Sequence, residues 1–329
     1  MDLNSKYQLI QNNFDIDVQF TPSQNLENYR NKNVYNFNQK TKNIDKINSK
    51  FSLTLINKIN KHFITHHNYT LISILIKENS INQVLIKINI KIRQDFTEYD
   101  LYNLKDFIIK HTLNQGKNII SMFYQTTNSN INPTKEDKYY KFYGSDEIME
   151  YYPEFKIKFY ISPDSFSRVN YQSSIDIYKF IEKIVNKDLT NNLVLMGRDV
   201  NVPSLILSRY FKNVSIFTQC NLIAKDIEKN KLENITIINK PKSEMTTILK
   251  TIKEELTFLV SSGRKGLIKD VIDLLPKLNI KQFVYISCNS KSFIKDINYL
   301  KNHFDLSIIQ LFDEFPNTNY CNIIAVLNR

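Results

Sequence analysis

One cysteine in this chain stands where chemistry is usually done. Cys288 follows Phe283-Val284-Tyr285-Ile286-Ser287, a β-branched and aromatic run that reads as a buried strand, and precedes Asn289-Ser290. From Ser290 to His303 the apolar residues Phe293, Ile294, Ile297 and Leu300 recur at the spacing of one buried helix face. The thiol is therefore expected on a strand-to-helix loop at the carboxyl end of a strand, where open α/β sheets bind their ligands. A thiolate there can act as a covalent nucleophile. A small buried cysteine without chemistry is the commoner occupant of such a place. The other two cysteines, Cys220 and Cys321, are too scattered for a disulfide framework or a zinc site, so a reducing compartment and no metal are expected.

Further along come Leu311-Phe312-Asp313-Glu314-Phe315-Pro316-Asn317-Thr318 and a closing strand, Ile323–Leu327. Together with Tyr285-Ile286-Ser287-Cys288-Asn289, this tail resembles the C-terminal signature of the S-adenosylmethionine-dependent RNA 5-methyluridine methyltransferases. In that family a strand-SCN nucleophile is followed by F-D-x-F-P-x-T-x-H-x-E. The resemblance extends upstream to Ile161-Ser162-Pro163-Asp164-Ser165-Phe166-Ser167-Arg168-Val169-Asn170 and to Tyr29-Arg30-Asn31-Lys32, and so covers most of the chain. It implies a class I methyltransferase domain, a Rossmann-like α/β fold with a doubly wound seven-stranded sheet, beside a smaller mixed α+β N-terminal domain. It implies S-adenosylmethionine as cofactor, RNA as partner, and Cys288 as the nucleophile that adds to C6 of uracil so that C5 can accept a methyl group.

Several positions depart from the family pattern. Asn322 stands where the family has its proton-abstracting glutamate, and Tyr320 replaces the histidine. An amide accepts no proton at neutral pH, so release of the thiolate is expected to lack its base and a covalent adduct to persist. The family's L-Y-C-G-x-G-x-F turn becomes Leu195-Met196-Gly197-Arg198-Asp199-Val200-Asn201-Val202, with Arg198 and Val200 in the glycine positions and Gly197 left to make the turn. Gln219 replaces the acid that grips the ribose, and Arg168 the glutamine of I-S-P-x-S-F-x-Q-x-N. Ser261-Ser262-Gly263-Arg264-Lys265-Gly266-Leu267 stands for D-P-P-R-x-G-L. The resemblance thus nominates Cys288, Arg264 and Asn322, in the place of the lost base, for catalysis. For the cofactor it nominates Arg168, Gly197, Gln219 and Ser261. Loss of acid, amide and glycine contacts predicts weak cofactor binding, with a Kd above ~1 mM.

The rest of the chain must position these residues. At 329 residues it is long enough for two domains with separate cores, and 42% apolar content is ordinary for a globular protein. No run reaches the length of a membrane span and the first residues lack a signal peptide's apolar segment, so a soluble, cytoplasmic protein is expected. The net charge of +11 suits a polyanionic partner. A chain dense in Asn, Ile, Lys and Tyr acquires such a charge from composition alone, so RNA is expected mainly on the motifs.

Residues 1–50 read as polar, with one ordered feature around Tyr29-Arg30-Asn31-Lys32. The family opens its RNA-facing half with that tetrapeptide, which makes Tyr29, Arg30 and Lys32 candidates for phosphate contact and base stacking. Next are expected a short helix at 51–60, a hairpin of Leu71–Lys77 and Gln83–Lys91, a helix at Tyr99–His111 and a strand at Asn118–Gln125. Thr126–Asp137 reads as a linker, and one boundary is expected near residue 160, with an RNA-facing domain at 1–160 and a methyltransferase domain at 161–329.

Beyond it, strands at Leu193–Met196, Val214–Thr218, Ile235–Asn239, Thr257–Val260, Phe283–Ile286, Leu306–Leu311 and Ile323–Leu327 alternate with helices. The helices are expected at Val202–Phe211, Asn221–Lys231, Thr246–Glu254, Leu267–Leu278 and Ser290–His303. Two functional readings follow: a working RNA uracil-5-methyltransferase, or an inactive homologue that binds RNA or a protein partner. A structural subunit reusing the fold is a third.

Overall fold

The computed structural model describes residues 3–37, 47–63, 68–93, 95–127 and 138–329. Of the linker expected at Thr126–Asp137, residues 128–137 lie outside the described residues. In chain order the first elements are α1 (Leu3–Gln11), β1 (Val18–Thr21), β2 (Lys32–Asn36), α2 (Lys50–Phe63), β3 (Tyr69–Glu78), β4 (Gln83–Ile92), α3 (Glu98–Thr112) and β5 (Asn118–Thr126). Then come β6 (Tyr140–Gly144), β7 (Ile148–Tyr152), β8 (Ile157–Ile161), α4 (Tyr171–Ile184), β9 (Asn192–Gly197), α5 (Asn201–Leu207), β10 (Asn213–Phe217), α6 (Ile223–Lys229) and β11 (Ile235–Ile238). The chain closes with α7 (Lys242–Leu249), β12 (Leu256–Ser261), α8 (Lys269–Ile272), β13 (Ile280–Ser287), α9 (Ser290–Leu300), β14 (Asp305–Phe312) and β15 (Asn322–Asn328).

Two compact units result, neither of them contiguous. One comprises Met1–Asn25, Tyr152–Phe159 and Gln172–Arg329; the other comprises Leu26–Tyr151 and Tyr160–Tyr171. Interleaved segments thus stand in place of a single boundary near 160. The physical reason is that β1 completes the sheet at the other end of the chain, pairing in parallel with β14 from Val18↔Ile309 to Thr21↔Phe312.

The larger unit is built on an eight-stranded sheet in the order β1-β14-β15-β13-β12-β9-β10-β11. All seven strands expected from the sequence are present as β9 to β15, and β1 adds an eighth. β15 runs antiparallel to both β13 and β14, while the other pairs are parallel. β9 lies between β10 and β12, so the order of strands reverses there, and the carboxyl ends beside it form the crevice of such folds. Every residue of β12 is buried, as a central parallel strand requires. Phe258, Phe283, Tyr285, Phe293 and Phe304 stack in the core with ring centroids 5.7–6.2 Å apart.

Some helices differ from expectation. The one expected at Thr246–Glu254 begins earlier, at Lys242 just after Pro241. The one expected at Leu267–Leu278 is only the single turn α8 followed by a 3-10 turn at Leu275–Lys277, because Pro276 lacks the N–H that a continuing helix needs. α1 and β1 were hidden in a stretch read as polar. Ile10, Phe14 and Val18 nonetheless bury their side chains in the core of this unit.

The smaller unit has a five-stranded sheet, β2-β3-β4-β5-β6. Its core joins Leu55 and Ile59 of α2 and Leu101, Leu104 and Ile108 of α3 to the inward residues of β3 and β4. This is the mixed α+β arrangement expected. The buried Lys77 ammonium donates to the carbonyls of Ser162 at 2.6 Å and Ser165 at 2.7 Å, fixing the loop after β8.

Candidate active site

β13 delivers Cys288 to its carboxyl end, in the middle of the large sheet, and its neighbours hold it there. The Asn289 side chain caps α9, accepting from the backbone N–H groups of Lys291 at 3.0 Å and Ser292 at 3.2 Å. The Ser287 hydroxyl oxygen accepts from the Asn289 N–H at 3.3 Å. The residues flanking the thiol are thus structural, and Cys288 itself stays half-buried at the head of an 11-residue helix. A helix N-terminus brings partial positive charge near the sulfur.

The last pair between β13 and β15 is Ser287 with Ile323, so Cys288 follows the paired run of β13 and Asn322 precedes it on β15. On the other side Asn322 pairs with Phe312 of β14. The nucleophile candidate after β13 and the start of the tail after β14 therefore lie at the same end of the sheet.

At that end the structure shows a carboxylate that motif matching passed over. The Asn322 side-chain amide donates to Glu314 Oε2, and both residues are buried, at 4% and 1% exposure. Glu314 occupies the variable position of F-D-x-F-P, so a signature comparison gives it no weight. The neighbouring acid, Asp313, is committed elsewhere: Lys6 Nζ donates to its Oδ1 at 2.7 Å and to the Phe315 carbonyl at 3.1 Å. Lys6 is itself only 1% exposed. The N-terminal helix therefore clamps the tail that carries Glu314.

Cys321 is fully buried, with the Ser290 hydroxyl 3.7 Å from its sulfur, and burial pushes its thiol up to about 11. In the native protein at pH 8, iodoacetamide is expected to label Cys220 and Cys288 and to spare Cys321. Peptide mass spectrometry reads this, and labelling of Cys321 should begin only near pH 11 or on unfolding. Equal labelling of all three cysteines in the native state would contradict it.

Arg264 is exposed and lies over the Tyr320 ring, 4.6 Å from its centroid. Its loop is tied down from below. Asp296 Oδ2 accepts from the Tyr285 hydroxyl at 2.5 Å and from the Leu267 N–H at 2.8 Å. Burial raises the Asp296 carboxyl above its ordinary range. Gly266, at φ +79°, leaves room for that carboxylate, since a Cβ there would sit 2.5 Å from Oδ2.

The strand ends beside β9 decide whether a nucleoside sulfonium suits the fold. Gly197 has φ +126°, and a Cβ on it would lie 2.1 Å from the Ser261 carbonyl oxygen of the paired strand, so this glycine is required for the turn. Val200, in a position where the family has glycine, is fully buried in the core. Asp199 is buried and accepts from the Tyr178 hydroxyl at 2.8 Å. Arg198 and Gln219 are exposed. An exposed guanidinium is not forced against a sulfonium, and an exposed amide can donate to or accept from ribose hydroxyls. These residues fit a cofactor held by backbone and neutral polar groups, with no carboxylate grip.

The remaining candidates belong to the smaller unit. Arg168 and Tyr29 are buried, at 6% and 7% exposure, so the Tyr29 ring presents no open face for stacking a base. Arg30 and Lys32 are half-buried, and Arg30 joins isolated bridges to Asn48 and Asn170. Among the described residues no group of three or more His, Cys, Asp or Glu is placed to hold a metal ion, and no helix is long and apolar enough to cross a membrane.

Comparison with known proteins agrees with this geometry. The crystal structure of the Pyrococcus abyssi tRNA (uracil-54, C5)-methyltransferase, in complex with S-adenosyl-L-homocysteine, superposes with a TM-score of 0.75 at 17% identity. It covers 99% of this chain and 82% of that one. The fold is that of a class I methyltransferase. The model of the tRNA (uracil-5-)-methyltransferase family matches residues 149–329, and the chain belongs to that family. An uncharacterized RNA methyltransferase of Fusobacterium nucleatum is 27% identical over 284 residues, 83% of this chain and 58% of the relative. The 23S rRNA (uracil(747)-C(5))-methyltransferase of Salmonella enteritidis is 35% identical over 71 residues, 22% of this chain and 19% of the relative. The chain spans about half the length of curated relatives it matches.

Proposed function

We propose that this protein methylates C5 of a uridine in RNA, with Cys288 as nucleophile and S-adenosylmethionine as methyl donor. The observation that carries this reading is the placement of Cys288 directly after β13, at the end of the sheet where the paired strand β15 begins with Asn322. Carbon C5 of uracil is barely nucleophilic on its own. Addition of the Cys288 thiolate to C6 makes it an enolate carbon that can take a methyl group. The cofactor supplies an electrophilic methyl group when bound. The backbone turn at Gly197, the end of β12 at Ser261 and the Gln219 amide are the groups that would hold it. Arg30 and Lys32, with the positive net charge, are the cations proposed to meet phosphate.

The test is direct. The protein is incubated with tRNA or ribosomal RNA and S-adenosylmethionine carrying a labelled methyl group, and the digested nucleosides are separated. Label in 5-methyluridine is the expected result. No labelled 5-methyluridine from either RNA would overturn the reading.

A further inference from the structure

We propose that Tyr320 is a positioning residue whose ring holds the Arg264 guanidinium across the end of β13, beside Cys288. The inference rests on the methyltransferase reading above and assigns one more residue to it. Tyr320 stands where the family signature has histidine, so the signature gives the ring no role. Its starting point is a contact. The Arg264 guanidinium lies 4.6 Å from the Tyr320 centroid, within the ~6 Å over which a cation is drawn to a ring face.

Strand order puts that contact at the end of the nucleophile's strand. β13 lies between β12 and β15. Arg264 belongs to the loop that leaves β12 and Tyr320 to the segment that enters β15, both at the end of the sheet where β13 delivers Cys288. To meet, the two side chains must span the width of β13, about 10 Å between its neighbours. Each flank is also tied to the nucleophile's own segment. The Ser262 N–H donates at 2.9 Å to the carbonyl of Ile286, just ahead of Ser287 and Cys288. The Cys321 sulfur lies 3.7 Å from the hydroxyl of Ser290, just beyond Cys288 and Asn289. Tyr320 is steadied in turn: its N–H donates to Thr318 Oγ1 at 3.2 Å, and the Phe315 ring meets it edge-on at 6.5 Å.

A ring face occupies none of the five N–H donors of a guanidinium, so Arg264 keeps them for substrate. Among the described residues it donates to no carboxylate or carbonyl. The reaction supplies a fitting acceptor. When the Cys288 thiolate adds to C6, a sulfur electron pair forms the S–C6 bond. The second pair of C5=C6 becomes the second bond of C4=C5, and the C4=O pair moves onto oxygen. Negative charge thus develops on an oxygen of the uracil. A guanidinium fixed beside that strand end donates to the oxygen and keeps its own proton. As C5 takes the methyl group with the C4=C5 pair, the oxygen pair re-forms C4=O.

Tyr320→Leu removes the ring face, Tyr320→Phe keeps it, and Arg264→Gln removes the cation. These and the double variant Tyr320→Leu/Arg264→Gln are assayed with tRNA and ribosomal RNA. Single-turnover methylation, RNA affinity and a thermal melt are measured for each. Arg264→Gln is expected to slow transfer about 10²–10³-fold. Tyr320→Leu is expected to slow it about 10-fold or more with RNA affinity and melt unchanged, and Tyr320→Phe to rescue the rate. The double variant should lose no more than Arg264→Gln alone, because the ring acts only through the cation. A merely structural Tyr320 predicts instead a lowered melt and losses that add. An Arg264 that serves only to bind phosphate predicts weaker RNA binding at an unchanged rate. Either outcome, or native transfer by Tyr320→Leu, overturns the assignment and leaves the methyltransferase reading standing. If the native protein labels neither RNA, the methyltransferase reading fails first and the assignment falls with it.

Discussion

Cys288→Ala is expected to give a folded protein that transfers no methyl group and forms no covalent RNA adduct. The loss should be roughly 10⁴-fold or more, because without the thiolate C5 is never made nucleophilic and no other group can substitute. Folding should be nearly untouched. The loop is held by Ser287 and Asn289, and the thiol is half-buried, so deleting it is expected to cost about 1 kcal/mol or less. The measurements are single-turnover methylation, denaturing electrophoresis and a thermal melt. Retained transfer in a variant with a native melt would remove Cys288 from the mechanism. Cys220 is the control: Cys220→Ala should leave both product and adduct at the native level.

The largest effect on stability is expected at the other end of the chain. Lys6→Ala strands Asp313, whose side chain is 5% exposed, as a buried carboxylate without its cation. Breaking a buried pair from one side typically costs about 3–5 kcal/mol, whereas replacing both partners by apolar residues is often nearly neutral. Lys6→Ala and Asp313→Ala should each therefore lower stability by about that much, with Lys6→Met/Asp313→Leu recovering most of it. Urea melts of the three variants decide the matter. A loss near zero for Lys6→Ala would show that water reaches the pair. Lys6 also donates to the Phe315 carbonyl, so its loss releases the segment on both sides of Glu314. Methyl transfer by Lys6→Ala should consequently fall even at temperatures well below its melt.

How much of this was legible in the sequence depended on the kind of information each residue carries. The strands β9 to β15 were read correctly because each carries a short, largely apolar run, most plainly Phe283–Ile286 in the central strand β13, which is buried on both faces. Helix ends were read less well. Apolar spacing persists through Leu267–Leu278, yet Pro276 and the single turn α8 break the element. α1 was missed although Tyr7 and Ile10 stand at helical spacing, since the polar residues around them dominate the local composition. Tyr29 was given a surface role from its tetrapeptide, but a tyrosine in a strand-like context is as readily an interior residue, and here it is 7% exposed.

By itself, the sequence determined the family, the α/β class, the position of Cys288 at a strand end and the absence of an acid at Asn322. All of these are local facts: a run, a spacing, or a residue within a motif. Only the tertiary structure decided which groups distant in the chain meet. Lys6 reaches Asp313 across 307 positions because β1 joins the sheet beside β14. Asn322 reaches Glu314 because the turn between β14 and β15 folds the tail back upon itself. What surrounds a side chain is made by strands the sequence does not place side by side. The missing acid was therefore visible in the sequence, and the contacts around its position were not.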